Sequence, residues 1–443
     1  MKKKQIVFTI CARNYYGLAQ VLKRSVLRHN PDVEFVAFIA DGIAEDERAE
    51  FGSDAIDASR VMNAYVTRDK LLEMAFKYNL TEFCTALKPF CFRHLFDGTD
   101  CDQAMYLDPD IFVFSALDDI FLSLRSASIV LTPHIIFPSL DEGKRPDKGL
   151  LATGVFNLGF LALARSTTAL TFLDWWGQRL LDQCFMDNHD SLFTDQKWLD
   201  FVPTLFPSSE VSYLRHAGAN LAPWNFHERR VYNAADGALH VGRRPLASRA
   251  NDLKAEHRSE FEQVIFVHFS GFDYKKFCEG KVIQYNIDGL DLYPDLQPLI
   301  NRYMESIQAD SPTVLQFLRK PYLYANFDEG TPIVFFHRRL YRAATDAGMS
   351  LGNPFSTNRG GFLNLLDKSA LLPRNRSDAS FDKSNKNNLA GVGRKLSMFN
   401  KVMRGVKRLI GFEKYTLLLR LMRPYSRPES QLHLIDKRFD RLL

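Results

Sequence analysis

Two carboxylates one residue apart, Asp108 and Asp110, stand inside an otherwise apolar run, Met105-Tyr106-Leu107-Asp108-Pro109-Asp110-Ile111-Phe112-Val113-Phe114. In an extended segment positions i and i+2 point to the same side, so the two side chains can converge on one cation. Oxygen donors of this kind suit Mg²⁺ or Mn²⁺, which are commonly shared between a few protein carboxylates and the phosphates of a substrate. Without a cation, two like charges buried together would push one carboxyl towards protonation, which gives the metal reading a physical reason. A bare Asp-x-Asp is more often a solvated turn. The apolar flanks separate the two readings, because they belong to a buried α/β strand that brings the pair to its carboxyl end, where such sheets place ligands.

Three further stretches carry chemistry. His268 follows the strand-like Val264-Ile265-Phe266-Val267 and precedes Gly271. By itself it is either a structural histidine or a metal ligand; its place favours a neutral imidazole as third ligand, with a glycine that lets backbone NH groups approach a phosphate. Asn157 and Gly159 fall in Thr153 to Leu163, read as a strand, with glycines where close backbone approach helps. Asp195 and Gln196 open a helix in Phe193 to Leu199, where the acid also suits an N-cap. Trp175 and Trp176, on a helix from Thr167 to Cys184, suit core packing or sugar stacking, and Ala222 to Arg229 reads as a polar-aromatic loop beside the site.

The elements that hold these residues begin with a βαβ unit, the usual start of a nucleotide-binding α/β domain: a strand at Gln5 to Ile10, the turn Cys11-Ala12-Arg13-Asn14-Tyr15, a helix from Tyr16 to Arg28 and a strand at Glu34 to Ala40. A helix from Thr81 to Phe96 carries Lys88 on its exposed side towards a nucleotide, and Pro89 implies a kink or a late start. The motif strand is Gln103 to Leu107, followed by a short helix at Ala116 to Leu124 and a strand at Ser128 to Leu131. The connection from Thr132 to Leu150, with His134, Asp141, Glu142, Lys144, Arg145 and Asp147, is long enough to be an acceptor loop or a lid.

With 443 residues, 46% hydrophobic and 25% charged, the chain is globular and longer than one ordinary domain. We divide it into a catalytic α/β domain at 1–293, a mainly helical extension at 294–371, a polar linker at 372–393 and a basic amphipathic tail at 394–443. From Leu372 onward there are 17 Lys and Arg against 6 Asp and Glu, whereas the rest holds 40 against 46. Phe399, Val402, Met403, Val406, Leu409 and Ile410 recur at helical spacing among Lys401, Arg404, Lys407 and Arg408. Residues 394–423 therefore suit either an anionic membrane surface or a helix docked on its own protein; no nucleic-acid motif accompanies the charge. The amino terminus lacks a signal-length apolar run and no stretch reaches the ~18 residues of a bilayer span, so the expected location is cytoplasmic, peripheral on the inner face of the membrane. The six cysteines lack Cys-x-x-Cys spacing and read as reduced, mostly buried thiols.

Over roughly residues 5–275 the chain resembles the retaining GT-A glycosyltransferases typified by glycogenin and the bacterial lipopolysaccharide galactosyltransferases, and more closely the bacterial enzymes of surface-polysaccharide synthesis. Tyr106-Leu107-Asp108-Pro109-Asp110 matches the metal motif and His268-Phe269-Ser270-Gly271 the late His-x-x-Gly. The resemblance implies Asp108, Asp110 and His268 as ligands of Mn²⁺ or Mg²⁺, Gly271 and Lys275 at the diphosphate, Asn14 and Tyr15 at the nucleoside, Lys88 near the donor, Asn157 and Gly159 beside the donor sugar, and Asp195 and Gln196 next to the anomeric carbon. It implies a GT-A mixed sheet, a sugar-nucleotide donor, UDP-linked for preference, and a glycan or lipid-linked acceptor. Two features depart from the pattern. Ala12 stands where the family has an acid, which leaves the base open, and Lys275 is not followed by Pro-Trp. Two alternatives remain: an inverting GT-A transferase, with Asp141, Glu142 or Glu228 as general base, and a non-catalytic scaffold of a polysaccharide assembly complex.

Overall fold

The computed structural model describes residues 3–138, 148–234, 237–245, 261–287, 289–375, 380–383 and 390–440. The chain forms two compact units, Met1–Tyr65 with Leu80–Tyr322, and Val66–Asn79 with Leu323–Leu443.

The first unit is built on a seven-stranded mixed sheet. Its strands are β1 (Gln5–Cys11), β2 (Glu34–Ile39), β3 (Ala55–Asp57), β4 (Gln103–Leu107), β6 (Ile129–Leu131), β7 (Phe160–Ala164) and β10 (Val211–Tyr213), in the order β10-β6-β7-β4-β1-β2-β3. β1 pairs in parallel with β2 and β4, and β7 runs antiparallel to both of its neighbours, β4 and β6. The central strands read as continuous apolar runs because helices cover both faces, and every residue of β4 and β7 is buried. Helix Tyr16–His29 buries Leu18, Val21, Leu22, Ser25 and Val26 and ends at Asn30, whose side-chain amide donates to the Val26 carbonyl at 3.0 Å. That helix also positions the motif from behind: Ser25 Oγ accepts from Val113 N at 3.1 Å and Asn30 Oδ1 from Leu117 N at 2.8 Å.

Smaller ladders complete the unit. β5 (Ile111–Val113) pairs antiparallel with β14 (Phe266–His268), in the register Ile111 to His268. β8 (Met186–Asp187) and β9 (Leu192–Phe193) form a short hairpin. β11 (Arg229–Asn233), β12 (Leu239–Arg243) and β13 (Glu262–Gln263) form a three-stranded sheet. The α/β architecture expected from the sequence, a mixed sheet flanked by helices, is the one observed.

Several local expectations change. The helix expected from Thr81 to Phe96 is two helices, Leu80–Ala86 and Lys88–Gly98, because Pro89 starts the second one. Lys88 is not on an exposed side; it is 1% exposed. The strand expected from Thr153 begins only at Phe160, since Gly154 takes φ +107 and turns the chain first. Asn157 and Gly159 thus lie in the approach to β7 and not within it. Residues 139–147, with Asp141, Glu142, Lys144, Arg145 and Asp147, fall outside the described residues.

The second unit is helical. Phe76 packs among Phe327, Tyr341, Phe355 and Phe362, with ring centroids 4.8–5.6 Å apart. The buried Arg338 caps the end of helix Arg68–Lys77 by donating to the carbonyls of Ala75, Phe76 and Tyr78 at 2.7–3.1 Å. Helix Val392–Tyr425 spans 34 residues, breaks its dihedrals at Gly411 (φ 78, ψ 169) and buries none of its side chains.

Within the first unit, helix Tyr16–His29 and helix Ser311–Leu318 approach until a Cβ on Gly17 would lie 2.8 Å from Val314 Cα. Gly17→Ala is expected to destabilise the protein by about 1–3 kcal/mol, read as a lowered midpoint in urea unfolding, because backbone on both sides must part to admit the methyl group.

Candidate active site

The end of β4 opens on a cavity of about 1020 Å³, large enough for a ligand of sugar-nucleotide size. Asp108 and Asp110 sit on the β4–β5 turn, and the β5–β14 ladder brings His268 over them. Its Nε2 lies 3.0 Å from Asp110 Oδ1 and 3.5 Å from Asp108 Oδ2. One donor atom from each of the three lies within 4.8 Å of the others. Two carboxylates and an imidazole form a donor set suited to a hard or borderline divalent cation, so the residues fit Mn²⁺ or Mg²⁺.

The surroundings hold this cluster in place. Tyr106 Oη donates to Asp108 Oδ1, and Tyr274 Oη lies 3.0 Å from Asp110 Oδ2. Burial disfavours the Asp110 carboxylate, but His268 and the Tyr274 hydroxyl outweigh it and hold its pKa below the ordinary value. For His268 burial opposes the charged form, and Asp110 with Asp108 wins, raising its pKa. A Cβ at position 159 would fall 2.4 Å from both Cε1 and Nδ1 of His268, so the imidazole occupies the space that a side chain would fill. The Gly159 carbonyl accepts from Asp108 N at 2.8 Å. Sequence alone marked Gly159 as a close approach to a sugar; the structure shows it against the histidine.

Beside this cluster Lys88 Nζ lies 2.8 Å from Asp195 Oδ2, with both side chains 2% exposed. The same ammonium donates to the Leu158 carbonyl at 2.7 Å and lies 4.3 Å from the centre of the Tyr106 ring. Burial raises the Asp195 pKa and Lys88 opposes that rise. Asp195 precedes the 3₁₀ turn Gln196–Phe201 but makes no side-chain cap bond, so the N-cap reading fails; Thr194 Oγ1 donates to its Oδ1 at 3.1 Å. Gln196 Nε2 donates to the Thr153 carbonyl at 2.9 Å. Asn157 Oδ1 accepts from Gly159 N and Asn220 Nδ2, both at 3.2 Å. Trp176 is core: it stacks on Phe172 and donates Nε1–H to the Asp195 carbonyl at 3.1 Å, so it supports the acid from behind.

Asn14 and Tyr15 line the cavity, and Tyr15 packs edge-on against Tyr274 at 5.9 Å. Gly271 takes φ +77 and lies against the amide of Asn286, which lines the cavity with Ser270. Lys275 is exposed on helix Tyr274–Cys278 and is not among the lining residues. Glu228, a candidate general base, is spent elsewhere: its carboxylate accepts from Ile136 N, Phe137 N and the buried Arg229 at 3.0–3.3 Å.

Residues that the motifs did not single out also form the wall. His134 lines the cavity, with Nδ1 3.2 Å from the Val155 carbonyl, and the Trp224 ring stands edge-on to both His134 (5.5 Å) and His268 (5.1 Å). His134 lies in the connection read as an acceptor loop or lid and Trp224 in the polar-aromatic loop expected beside the site, but what each packs against is distant in sequence.

No family model matches the chain. The uncharacterised protein YfnF of Bacillus subtilis (strain 168) is 23% identical over 254 residues, which span 56% of this chain and 77% of that one. Similar solved structures are glycosyltransferases, the class that the motifs resemble. The galactosyltransferase LgtC, in complex with donor and acceptor sugar analogues, is 19% identical, covering 60% of this chain and 87% of its own at a TM-score of 0.35. The glycosyltransferase GlyE of Streptococcus pneumoniae TIGR4 is 15% identical, with coverage of 74% and 67% and a TM-score of 0.35. The bifunctional glycosyltransferase WbbM is 13% identical, with coverage of 72% and 52% and a TM-score of 0.39. At TM-scores below 0.5 these likenesses leave the chemistry to be read from the site itself.

Burial lowers the His134 pKa from 6.5 to about 4. The unfolded chain therefore takes up this proton more readily than the folded one, so the stabilising contribution is complete above about pH 6.5 and is lost as pH falls towards 4, by about 3 kcal/mol. His134→Gln is expected to lose less stability than the parent between neutral pH and about pH 4.5, measured by urea unfolding at both.

Proposed function

We propose that this protein is a metal-dependent glycosyltransferase that moves a hexose from a nucleoside-diphosphate sugar, UDP-linked for preference, to a glycan or lipid-linked acceptor in bacterial surface-polysaccharide synthesis. The observation that carries this reading is the convergence of Asp108, Asp110 and His268 at the end of a buried strand, with the Lys88–Asp195 pair lining the same cavity of about 1020 Å³. Asp108, Asp110 and His268 would hold Mn²⁺ or Mg²⁺, which supplies charge neutralisation for a departing diphosphate.

The chain's own residues do the rest in this reading. Asn14 and Tyr15 hold the nucleoside, and the backbone at Gly271, with Ser270 and Asn286, borders the phosphates. Lys275 would reach them only from the exposed face of its helix. Asp195 stabilises positive charge developing at the anomeric carbon, which requires it to be ionised. Lys88 favours that form against the effect of burial, which on balance raises the Asp195 pKa, and its place at Asp195 makes it a positioning residue and not a phosphate ligand. Asn157, Gly159 and Gln196 shape the sugar's surroundings.

Retention is the reading that the resemblance of the motifs implies. Among the described residues the cavity is lined by Asp108, Asp110 and Asp195; two belong to the cation set and the third is ion-paired. An inverting mechanism needs a further acid near the acceptor, and Glu228 is bonded elsewhere while Asp141 and Glu142 fall outside the described residues.

The tail supports a peripheral place on the inner face of the cytoplasmic membrane. Among the described residues no helix is long and apolar enough to cross a membrane. Helix Val392–Tyr425 leaves Leu396, Phe399, Val402 and Leu409 53–87% exposed beside a basic face.

Thermal stabilisation against nucleoside diphosphates and sugar nucleotides tests the activity. A rise in Tm that needs both Mn²⁺ and one nucleotide is expected, equivalent to about 2.7 kcal/mol at a hundredfold excess over Kd, and Asp110→Ala is expected to lose it together with sugar transfer. If no pair stabilises the protein, the scaffold reading takes its place. Co-sedimentation with vesicles tests the tail. Binding is expected on phosphatidylserine-containing vesicles, weaker on neutral ones, and lost on truncation after residue 391; equal binding of the truncated chain would refute the anchor.

A further inference from the structure

Setting aside Asp195, which is ion-paired with Lys88, the cavity lining includes buried polar side-chain atoms without hydrogen-bond partners among the described residues, among them Asn14 Oδ1, Thr153 Oγ1, Trp224 Nε1 and His268 Nδ1. Buried polar groups are nearly always satisfied, so an orphan on a cavity wall points to a partner that arrives with a ligand. His268 Nδ1 is packed against Gly159, and Asn14 lies at the nucleoside end, which leaves Thr153 and Trp224 to be explained.

These two border the same part of the cavity. Thr153 accepts from Gln196 through its carbonyl, and two residues later Val155 O meets His134, against which Trp224 stands edge-on. Of the groups gathered here, Thr153, Asn157, Gln196, Trp224 and His134 carry no formal charge, His134 because burial keeps it neutral, while His268, 5.1 Å from the Trp224 ring, is engaged by Asp110 and Asp108. An indole N–H can only donate, and a threonine hydroxyl can donate or accept. A phosphate would call for cationic partners, whereas neutral donors and acceptors suit the hydroxyl groups of a sugar.

We infer that Trp224 Nε1 and Thr153 Oγ1 are binding groups for hydroxyl oxygens of the transferred hexose, Trp224 as donor to one and Thr153 as partner of another. This rests on the sugar-nucleotide reading above and extends it: the site selects for a sugar that presents both hydroxyls, because an analogue lacking one leaves a buried group unpaired. Sites built to bond a substrate hydroxyl can discriminate strongly against the analogue without it.

The test compares nucleotides with and without the sugar. Binding of UDP, GDP, ADP, CDP and dTDP and of UDP-glucose, UDP-galactose, GDP-mannose, ADP-glucose and dTDP-glucose is measured by calorimetry with Mn²⁺, on the full chain and on Trp224→Phe and Thr153→Val. The parent is expected to bind one sugar nucleotide tighter than its parent diphosphate, and each variant to keep the diphosphate affinity, which also reports an intact fold, while losing tenfold or more of the sugar-dependent gain. If both variants keep that gain, the assignment of Trp224 and Thr153 is wrong although the transferase reading stands. If the parent binds none of the diphosphates, the transferase reading fails and this inference falls with it.

Discussion

The antiparallel pairing of β5 with β14 is the constraint on which the site depends. Its register sets His268 opposite Ile111, one residue beyond Asp110, and that places an imidazole from late in the chain over two carboxylates that a β-turn has already brought together. A slip of one residue would turn His268 to the other face, because side chains alternate along a strand. The ladder is backed by Ser25 and Asn30 of the helix behind it and closed by Gly159, the one neighbour small enough to let the ring in. The candidate cation site is therefore a property of three separate segments meeting, and each of them contributes backbone geometry as much as side chains.

Charge burial is the second theme. Asp110 and Asp195 are carboxylates at one cavity, and a low-dielectric wall would protonate them without compensation. Compensation is distributed: His268 and Tyr274 at Asp110, Lys88 at Asp195. Lys88 and Tyr106 touch as cation and ring, so the two halves of the site are not independent. A change at Lys88 reaches the metal carboxylates through Tyr106 as well as Asp195 directly, and substitutions there will not be additive. The basic tail obeys different physics: its charges stand in solvent beside exposed apolar side chains, a combination that an anionic surface would satisfy from both sides.

The sequence by itself determined the composition of the chemistry and the alternation of elements. Apolar runs without alternation marked strands buried on both faces, the motif Tyr106 to Asp110 marked the end of one of them, and the pattern of His268 before Gly271 marked a third ligand; all depend on neighbours within a few residues, which a linear reading captures. Tertiary structure decided the rest, because it depends on which distant groups share space. Lys88 looked like an exposed cation on a helix, yet a proline-started helix buries it against Asp195, 107 positions away in the chain. Asp195 looked like a cap until its carboxylate met that ammonium, and Glu228 looked like a free base until it met two backbone amides and Arg229. Thr153, His134 and Trp224 belong to no motif; the loops of His134 and Trp224 were legible as neighbours of the site, but it is folding that encloses all three in one cavity lining and leaves two of their polar atoms without partners among the described residues. Local periodicity records what a residue's immediate neighbours require; burial and pairing across the fold are set by long-range packing, which no short window of sequence contains.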